Sequence, residues 1–189
     1  MADKNDEEIA LSVQNGSIQD FGILVDRYEG KLMRYAKRFL FSNDDAKDLV
    51  QDVFIKTYVN IRSFDAEKKF SSWIYRIAHN EFVNEIKKRQ SRITIPIIFD
   101  SDAIFPHLVA KESVEGESER KETRRILEEN LGKLGVKYRE PLVLYYFEDM
   151  DYGEISDILG IPVSTVGVRL RRGKEMLKKH MNPQDKNGK

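Results

Sequence analysis

The sequence contains no cysteine, which excludes disulfide bonds and thiolate ligands for a metal ion. Its three histidines, His79, His107 and His180, are scattered and do not have the spacing of a zinc site. The longest apolar run, residues 142–147, is far too short to span a bilayer. These absences indicate a chain that is neither a disulfide scaffold, nor a zinc protein, nor inserted in a membrane.

Patterns typical of enzymes are also missing. The sequence has no glycine-rich phosphate loop and no Ser/His/acid arrangement, and no pair of acids is placed for general acid–base catalysis. We therefore expect no catalytic activity, no cofactor and no metal. The first residues are acidic and polar, so no signal peptide is predicted and the cytoplasm is the expected compartment.

Charge is balanced over the whole chain but not along it. The sequence has 32 Lys+Arg and 32 Asp+Glu, which by itself argues against a nucleic-acid-binding protein. Residues 169–179, however, contain a single acid, Glu175, among many cations. These cations are Arg169, Arg171, Arg172, Lys174, Lys178 and Lys179. Such a cluster forms a local patch of positive charge on an otherwise neutral molecule.

Apolar residues recur at three- and four-residue steps through residues 6–92. They form stripes over residues 21–40, 46–61 and 70–86, and a weaker helix is expected over residues 6–15. Residues 42–45 supply a break and an N-cap, and Ser71 or Ser72 is the expected cap of the third stripe. Because no period-two alternation is present, this block is predicted to be a bundle of three or four helices.

The rest of the chain divides into a linker and a second helical block. Residues 93–122 contain Pro96 and Pro106 and then an acidic stretch almost free of apolar residues, which predicts a flexible linker. Residues 123–182 show shorter helical stripes, and Asp151 with Glu154 forms a capping box at the start of one of them. The predicted fold is therefore all-α, with two small helical domains joined by a flexible linker.

Residues 155–166 have the chemistry of a helix-turn-helix. The small Ser156 lets two helices approach, Gly160 permits the tight turn, and Pro162 fits the first position of the second helix. One side of that helix presents Ser164, Thr165, Val168, Arg169 and Arg172, with Arg171 and Lys174 adding positive charge. An αα-hairpin with a solvated basic face is the alternative, but the agreement of these features favours DNA reading.

Two further surfaces are predicted in the first block. One polar strip of the third long helix carries Arg76, Asn80, Asn84, Lys87 and Lys88, and the preceding loop carries Phe64, Lys68 and Lys69. Asparagines between cations, next to aromatic residues, suit single-stranded bases, although Phe70 and Trp73 are more typical of a core. The outward face of the second long helix carries Asp48, Gln51, Asp52 and Ile55, which fits either ordinary solvation or a docking face for a basic helix.

Three segments carry a resemblance to a known family. They are residues 44–54 (DDAKDLVQDVF), residues 70–80 (FSSWIYRIAHN), and residues 138–145 (YREPLVLY) leading into residues 155–173. In this order the sequence resembles bacterial RNA polymerase sigma factors of the sigma-70 family, extracytoplasmic-function (ECF) group, over about residues 8–181. The resemblance implies a transcription initiation factor with sigma domain 2 over residues 6–92 and sigma domain 4 over residues 123–182.

The resemblance also implies roles for the predicted surfaces. The face with Asp48 would dock on the β′ clamp helices of core RNA polymerase, and domain 4 on the β flap. The loop from Phe64 and the strip around Asn80 would read and open the −10 element, flipping a base out near Asn80. The helix after Pro162 would read the −35 element of promoter DNA. An anti-sigma factor is an expected partner, and it can hold such a factor at the membrane.

Some positions depart from the family pattern. Gly167 stands where a lysine is common, which predicts a cost of about 1 kcal/mol to the helix and one phosphate contact fewer. Gly135 stands where proline is common, and Pro141 is expected to interrupt the next helix early. The alternative function is a free-standing helix-turn-helix regulator that binds duplex DNA as a dimer. A helical adaptor would leave the basic cluster unexplained.

Overall fold

The computed structural model describes residues 4–40, 44–92 and 118–181. The helices are α1 (Asp6–Gln14), α2 (Ile18–Leu40), α3 (Asp44–Asn60), α4 (Phe70–Arg92), α5 (Ser118–Gly132), α6 (Val136–Phe147), α7 (Tyr152–Leu159) and α8 (Val163–Met181). A single 3-10 turn, Ile61–Ser63, follows α3. The described residues contain no strand, which confirms the all-α prediction.

Helices α1 to α4 form the first half, residues 4–92, around an aromatic core. The predicted stripes of α2, α3 and α4 are the buried faces of these helices. The Tyr28 and Phe70 ring centroids are 5.4 Å apart, and those of Tyr35 and Phe82 are 5.2 Å apart. Edge and tilted contacts of this kind add to the free energy gained by burying the rings.

The start of α4 corrects a prediction. Neither Ser71 nor Ser72 caps it, because the helix begins earlier, at Phe70. The Phe70 amide donates a 2.8 Å hydrogen bond to Oε1 of Glu7 on α1. A carboxylate distant in sequence thus satisfies an amide at the N-terminus of α4, and no local pattern reveals such a partner.

Helices α5 to α8 form the second half, residues 118–181. The predicted capping box is confirmed, since Asp151 accepts from the Glu154 amide and Glu154 accepts from the Asp151 amide, both at 2.8 Å. Gly160 has a φ of 63°, as its place in the turn predicts. Pro162 comes just before the first residue of α8, and its carbonyl accepts from the Thr165 amide at 2.8 Å.

Two boundaries of the second half differ from prediction. Helix α5 begins at Ser118, inside the segment predicted to be linker, whereas residues 93–117 lie outside the described residues. Helix α6 continues through Pro141 to Phe147. Leu142, Val143 and Leu144, which follow Pro141, are buried, so their packing outweighs the backbone hydrogen bond that proline cannot make.

The two halves pack against each other. Helix α2 contacts α6, and α4 contacts α7. Lys69, just before α4, places its Nζ 3.1 Å from Oε1 of Glu154 on α7. No helix among the described residues is long and apolar enough to cross a membrane.

Candidate nucleic-acid and partner interfaces

The polar strip of α4 lies on its solvent side. Its members are Arg76, Asn80, Asn84, Lys87 and Lys88, and all five are exposed. The opposite side of α4 is anchored in the core through Phe70, Ile74 and Phe82, all fully buried. This anchoring fixes which face α4 presents, so the strip is a rigid row of amides and cations.

A shallow pocket of about 240 Å³ opens at the end of this strip that carries Arg76 and Asn80. It is lined by Asn60, Ser63, Trp73, Arg76, Ile77 and Asn80. Trp73 and Ile77 give it an apolar wall, while the amides and the guanidinium supply hydrogen-bonding groups. The pocket is smaller than typical drug-sized sites of about 300 Å³ or more, and its chemistry suits a single planar, polar ring. Asn60 and Ser63 were missed by the sequence reasoning, because Asn60 ends α3 and Ser63 lies in the 3-10 turn after it, both outside the helical strip.

The loop before α4 corrects one site prediction. Phe64 is 5 % exposed, and its ring packs on Phe70 and Trp73 at centroid distances of 5.4 and 5.3 Å. Its ring is therefore part of the core and cannot stack on a base in this conformation. Lys68 is exposed to solvent. Lys69 is exposed too, and its hydrogen bond to Glu154 raises the pKa of its ammonium group.

The helix-turn-helix has the predicted geometry. The Ser156 hydroxyl donates to the Ile161 carbonyl at 2.5 Å, which ties α7 to the turn. Val166 and Leu170 are buried against the rest of the second half. The predicted reading side faces outward: Ser164, Val168 and Arg172 are exposed, and Thr165 and Arg169 are half-buried. Short polar groups thus precede the guanidinium groups along α8.

Other predicted residues of α8 lie beside the reading side. Nη1 of Arg171 is 3.4 Å from Oε1 of Glu175 on the same helix. The Lys174 ammonium lies 5.8 Å from the centre of the Tyr146 ring. At Gly167, a Cβ atom would be 3.6 Å from Cε2 of Tyr152, so this ring lies against the glycine. An aromatic side chain of α7 thus packs beside the position where a lysine is common.

The outward face of α3 borders an apolar groove. Asp48, Gln51 and Asp52 are exposed, and Ile55 is 59 % exposed. The groove, about 640 Å³, runs between α2 and α3 and is lined by Phe21, Val25, Glu29, Met33, Lys47, Val50, Gln51, Phe54, Ile55, Tyr58 and Val59. Contiguous exposed apolar surface bordered by charge is typical of a protein-binding site.

Metal chemistry finds no support in the part of the chain that is described. No group of three or more His, Asp or Glu side chains there could hold a metal ion. His79 instead lies against Glu140 of α6, with 2.7 Å between Nδ1 and Oε1.

Comparisons with known proteins agree with this geometry. The sequence matches the family Sigma-70 region 2 over residues 24–92 and the family Sigma-70 region 4 over residues 124–177. It is 34% identical over 177 residues to the ECF RNA polymerase sigma factor SigW of Bacillus subtilis (strain 168), covering 89% of this chain and 92% of that protein. It is 32% identical over 182 residues to the ECF RNA polymerase sigma-E factor of Haemophilus influenzae, covering 94% and 96% of the two chains.

Solved structures resemble most of the chain. CnrH, solved in complex with the cytosolic domain of CnrY, has a TM-score of 0.70 at 25% identity and covers 97% of this chain and 99% of its own. The sigma factor RpoE of Bartonella quintana, solved with the anti-sigma factor NepR, shares the fold with a TM-score of 0.72 at 24% identity, covering 87% and 98%. Both regions of the family are present in the expected order, which does not favour a free-standing regulator. The chain belongs to the ECF sigma factors, transcription initiation factors that direct RNA polymerase to promoters.

Proposed function

We propose that this chain binds core RNA polymerase, reads the −10 element with its first half and the −35 element with its second, and catalyses no reaction itself. The observation that carries the proposal is the separation of three exposed surfaces. The strip of α4 and the reading side of α8 suit nucleic acid, whereas the groove beside α3 suits a protein. No described residues group into a metal-binding cluster.

For the −10 element, we propose that one flipped base enters the pocket beside Trp73. Arg76 and Asn80 lie at its rim, where a guanidinium and an amide can bond to a base edge and to phosphate. A base stacked on an aromatic residue gains about 1–3 kcal/mol, enough to offset much of the cost of unstacking one base. Asn84, Lys87 and Lys88 continue the path along α4 for the neighbouring nucleotides.

For the −35 element, we propose that α8 lies in the major groove. Ser164, Thr165 and Val168 in its first turns would face base edges, while Arg169 and Arg172 would bond to bases or phosphates. Arg171 and Lys174 would add longer-range attraction from the flank of the helix. This contribution is electrostatic and should weaken as salt concentration rises.

For polymerase docking, we propose that the β′ clamp helices occupy the groove between α2 and α3. The apolar floor offers buried contact area, and Asp48 and Asp52 at its edge would attract cations on the partner. The second half would rest on the β flap. RpoE, one of the similar solved structures, was solved with an anti-sigma factor, so we also infer an anti-sigma partner. We expect the protein to act in the cytoplasm, where such a partner can hold it at the membrane.

The test is single-round transcription with purified bacterial core polymerase on a mixed promoter library, with and without this protein. We expect discrete new transcripts that depend on it. Arg172→Ala should lower promoter use while leaving core binding intact, and Asp52→Arg should lower core binding. The exposed Lys133 and Asp26 provide the matched controls Lys133→Ala and Asp26→Arg, which should change neither.

The base pocket has its own test on two templates. Asn80→Ala should impair a duplex promoter more than the same promoter pre-melted around the −10 element, because the variant loses help in opening rather than in docking. Equal impairment on both templates would contradict base capture. If the protein neither supports transcription nor co-purifies with core, but shifts duplex DNA as a dimer, the free-standing regulator replaces the proposal.

A further inference from the structure

The pocket beside Trp73 has two walls that belong to different parts of the first half. The helical wall is one face of α4 and consists of Trp73, Arg76, Ile77 and Asn80. The turn wall consists of Asn60, at the end of α3, and Ser63, in the 3-10 turn after it. Because the aromatic core fixes α4, the shape of the pocket depends on what holds the turn wall in place.

Gln14, the last residue of α1, binds the backbone of this turn. Its Nε2 donates to the carbonyl of Ile61 at 2.7 Å and to the carbonyl of Phe64 at 2.8 Å. A side-chain amide has two N–H groups, so both of those of Gln14 are used here. Ile61 and Phe64 flank Ser63 in the sequence, and Gln14 therefore holds the turn wall from both sides.

The other contacts of the turn do not fix its orientation in the same way. The Ser63 hydroxyl donates to the Asn60 carbonyl at 2.8 Å, and the Phe64 amide donates to the Ile61 carbonyl at 3.1 Å, but these bonds stay within the turn. Ile61 and Phe64 are each 5 % exposed, so their side chains keep the turn on the core. Apolar contact is non-directional, however, whereas two hydrogen bonds to one amide set the direction of the carbonyls.

Helix α1 is itself a firm support for Gln14. Its apolar side is buried, namely Ile9, Ala10 and Val13. Nη1 of Arg27 on α2 lies 2.6 Å from Oδ1 of Asp6 at the start of α1. Glu7 of the same helix accepts the Phe70 amide at 2.8 Å, where α4 begins. One helix thus contacts the turn wall at its end and the start of the helical wall near its beginning.

We propose that Gln14 is a positioning residue for base selection at the −10 element. By orienting the turn, it places the Asn60 amide and the Ser63 hydroxyl opposite Trp73 and Asn80, at the separation that one base fits best. Gln14 is not among the residues that line the pocket, so it acts through the turn and not by touching the base. This inference rests on the proposed function.

The experiment measures base preference by transcription with core polymerase and the full chain. Sets of four promoters differ in one non-template base of a pre-melted −10 element, taking each position in turn, so that reading is measured without opening. Asn80→Ala identifies the position whose base enters the pocket, because the preference should fall there. At that same position, Gln14→Met should lower the preference by about fivefold or more, the lower end of what one wrong base costs in a specific site.

Further variants separate positioning from a loss of stability. Methionine matches glutamine in length but has no N–H group, whereas the lysine of Gln14→Lys can donate to both carbonyls and should restore most of the preference. Gln14→Asn, with an amide one methylene too short, should lose the preference as Gln14→Met does, and it serves if methionine lowers the unfolding temperature. Gln19→Met, the same change at an exposed site of α2, should alter neither preference nor transcription.

The outcomes distinguish this role from ordinary support of the fold. A smaller drop at the position that depends on Asn80, or a drop spread evenly over the −10 element, would overturn the positioning role. Failure of Gln14→Lys to restore the preference would overturn it as well. Failure of the proposed function is different, because the unaltered chain would then give no transcripts from any promoter.

Discussion

The two halves place their aromatic residues in opposite ways. In the first half Tyr28, Tyr35 and Phe70 are almost completely buried; Tyr28 contacts Phe70, and Tyr35 contacts Tyr75. In the second half the core is aliphatic, while Tyr146 and Tyr152 are 50 % and 41 % exposed. Large buried rings contribute the most free energy per residue, so the first half has the stronger core.

This difference between the cores fits a different proposed task for each half. In the proposed function the first half opens DNA and must hold α4 rigidly while a base is pulled from its stack, which a dense aromatic core allows. The second half is short, and short domains bury a smaller share of their surface and are marginally stable. Its helix α6 also carries Arg139 and Glu140, which are buried and contact the first half. We infer that contact between the halves stabilises the second half more than the first.

The largest expected effect comes from a pair of core truncations. Phe70→Ala should cost about 3–5 kcal/mol of unfolding free energy and destabilise the first half. Leu170→Ala should cost about 2–5 kcal/mol, but in the second half. Trp73 is the sole tryptophan, so its fluorescence follows the first half while circular dichroism follows both. Denaturant titrations should show the Trp73 transition shifted by the first variant and much less by the second.

The unaltered protein is the control for this pair. Two transitions that separate in the Leu170→Ala variant would sharpen the contrast between the halves. If fluorescence and circular dichroism report the same single transition in both variants, the halves fold as one unit. That result would contradict the proposed difference in stability between the halves.

A smaller effect is expected at the contact between α6 and α8. A Cβ atom at Gly173 would lie 3.0 Å from Cδ1 of Leu142 and 3.1 Å from the Tyr138 carbonyl oxygen. Because the backbone oxygen cannot move freely, Gly173→Val should overpack this contact and cost about 1–3 kcal/mol. The loss should appear in the circular-dichroism transition and in −35-dependent promoter use. Unchanged stability would mean that α6 and α8 pack less closely than the structure indicates.

Local patterns predicted the parts of this fold that depend on local physics. The stripes of α2, α3 and α4, the capping box at Asp151 and the turn at Gly160 all follow from spacing and backbone preference, and the structure confirms each. The same physics places the strip around Asn80 and the reading side of α8 on the surface. Their roles in DNA binding remain predictions.

Contacts between residues far apart in the sequence were not predicted. No pattern near Phe70 reveals that Glu7 accepts a hydrogen bond from the Phe70 amide. Phe64 was predicted to contact DNA, and its burial was missed because it lies outside the helical stripe. The polar contacts between the halves, such as Tyr35 with Glu140 and Tyr75 with Glu148, were also missed, since these residues are far apart in the sequence. One signal was available: Arg139 and Glu140 interrupt a strongly apolar helix, which is typical of charges that are buried with a partner.

Gly167 tests a finer feature of the second half, on the same helix as Gly173. The Tyr152 ring would be 3.6 Å from an added Cβ, an ordinary van der Waals distance, so Gly167→Ala should fit. Alanine's better helix propensity should then raise unfolding free energy by up to about 1 kcal/mol, with promoter use unchanged. Thermal unfolding compared with Gly173→Val measures this. A loss of stability would show that the exposed tyrosines restrict α8 more tightly than the distances suggest.

The smallest expected effect is a pH dependence of the packing of the two halves against each other, through Glu148. Burial raises the pKa of its carboxyl, and the Tyr75 hydrogen bond with the charges of Arg38, Arg34 and Lys31 opposes this shift without cancelling it. When the halves are apart, Glu148 faces water and titrates near the ordinary value of about 4.3. The packed form therefore binds this proton more tightly, so lowering the pH through the raised pKa strengthens the packing, and raising it weakens the packing. Spin labels on Asp26→Cys and Lys178→Cys, one exposed site in each half, would measure the distance between the halves, and the fraction of molecules with the halves in contact should rise from neutral pH down toward that ordinary value. Glu148→Gln should remove this part of the dependence, and an identical pH profile in that variant would show that Glu148 is not its source.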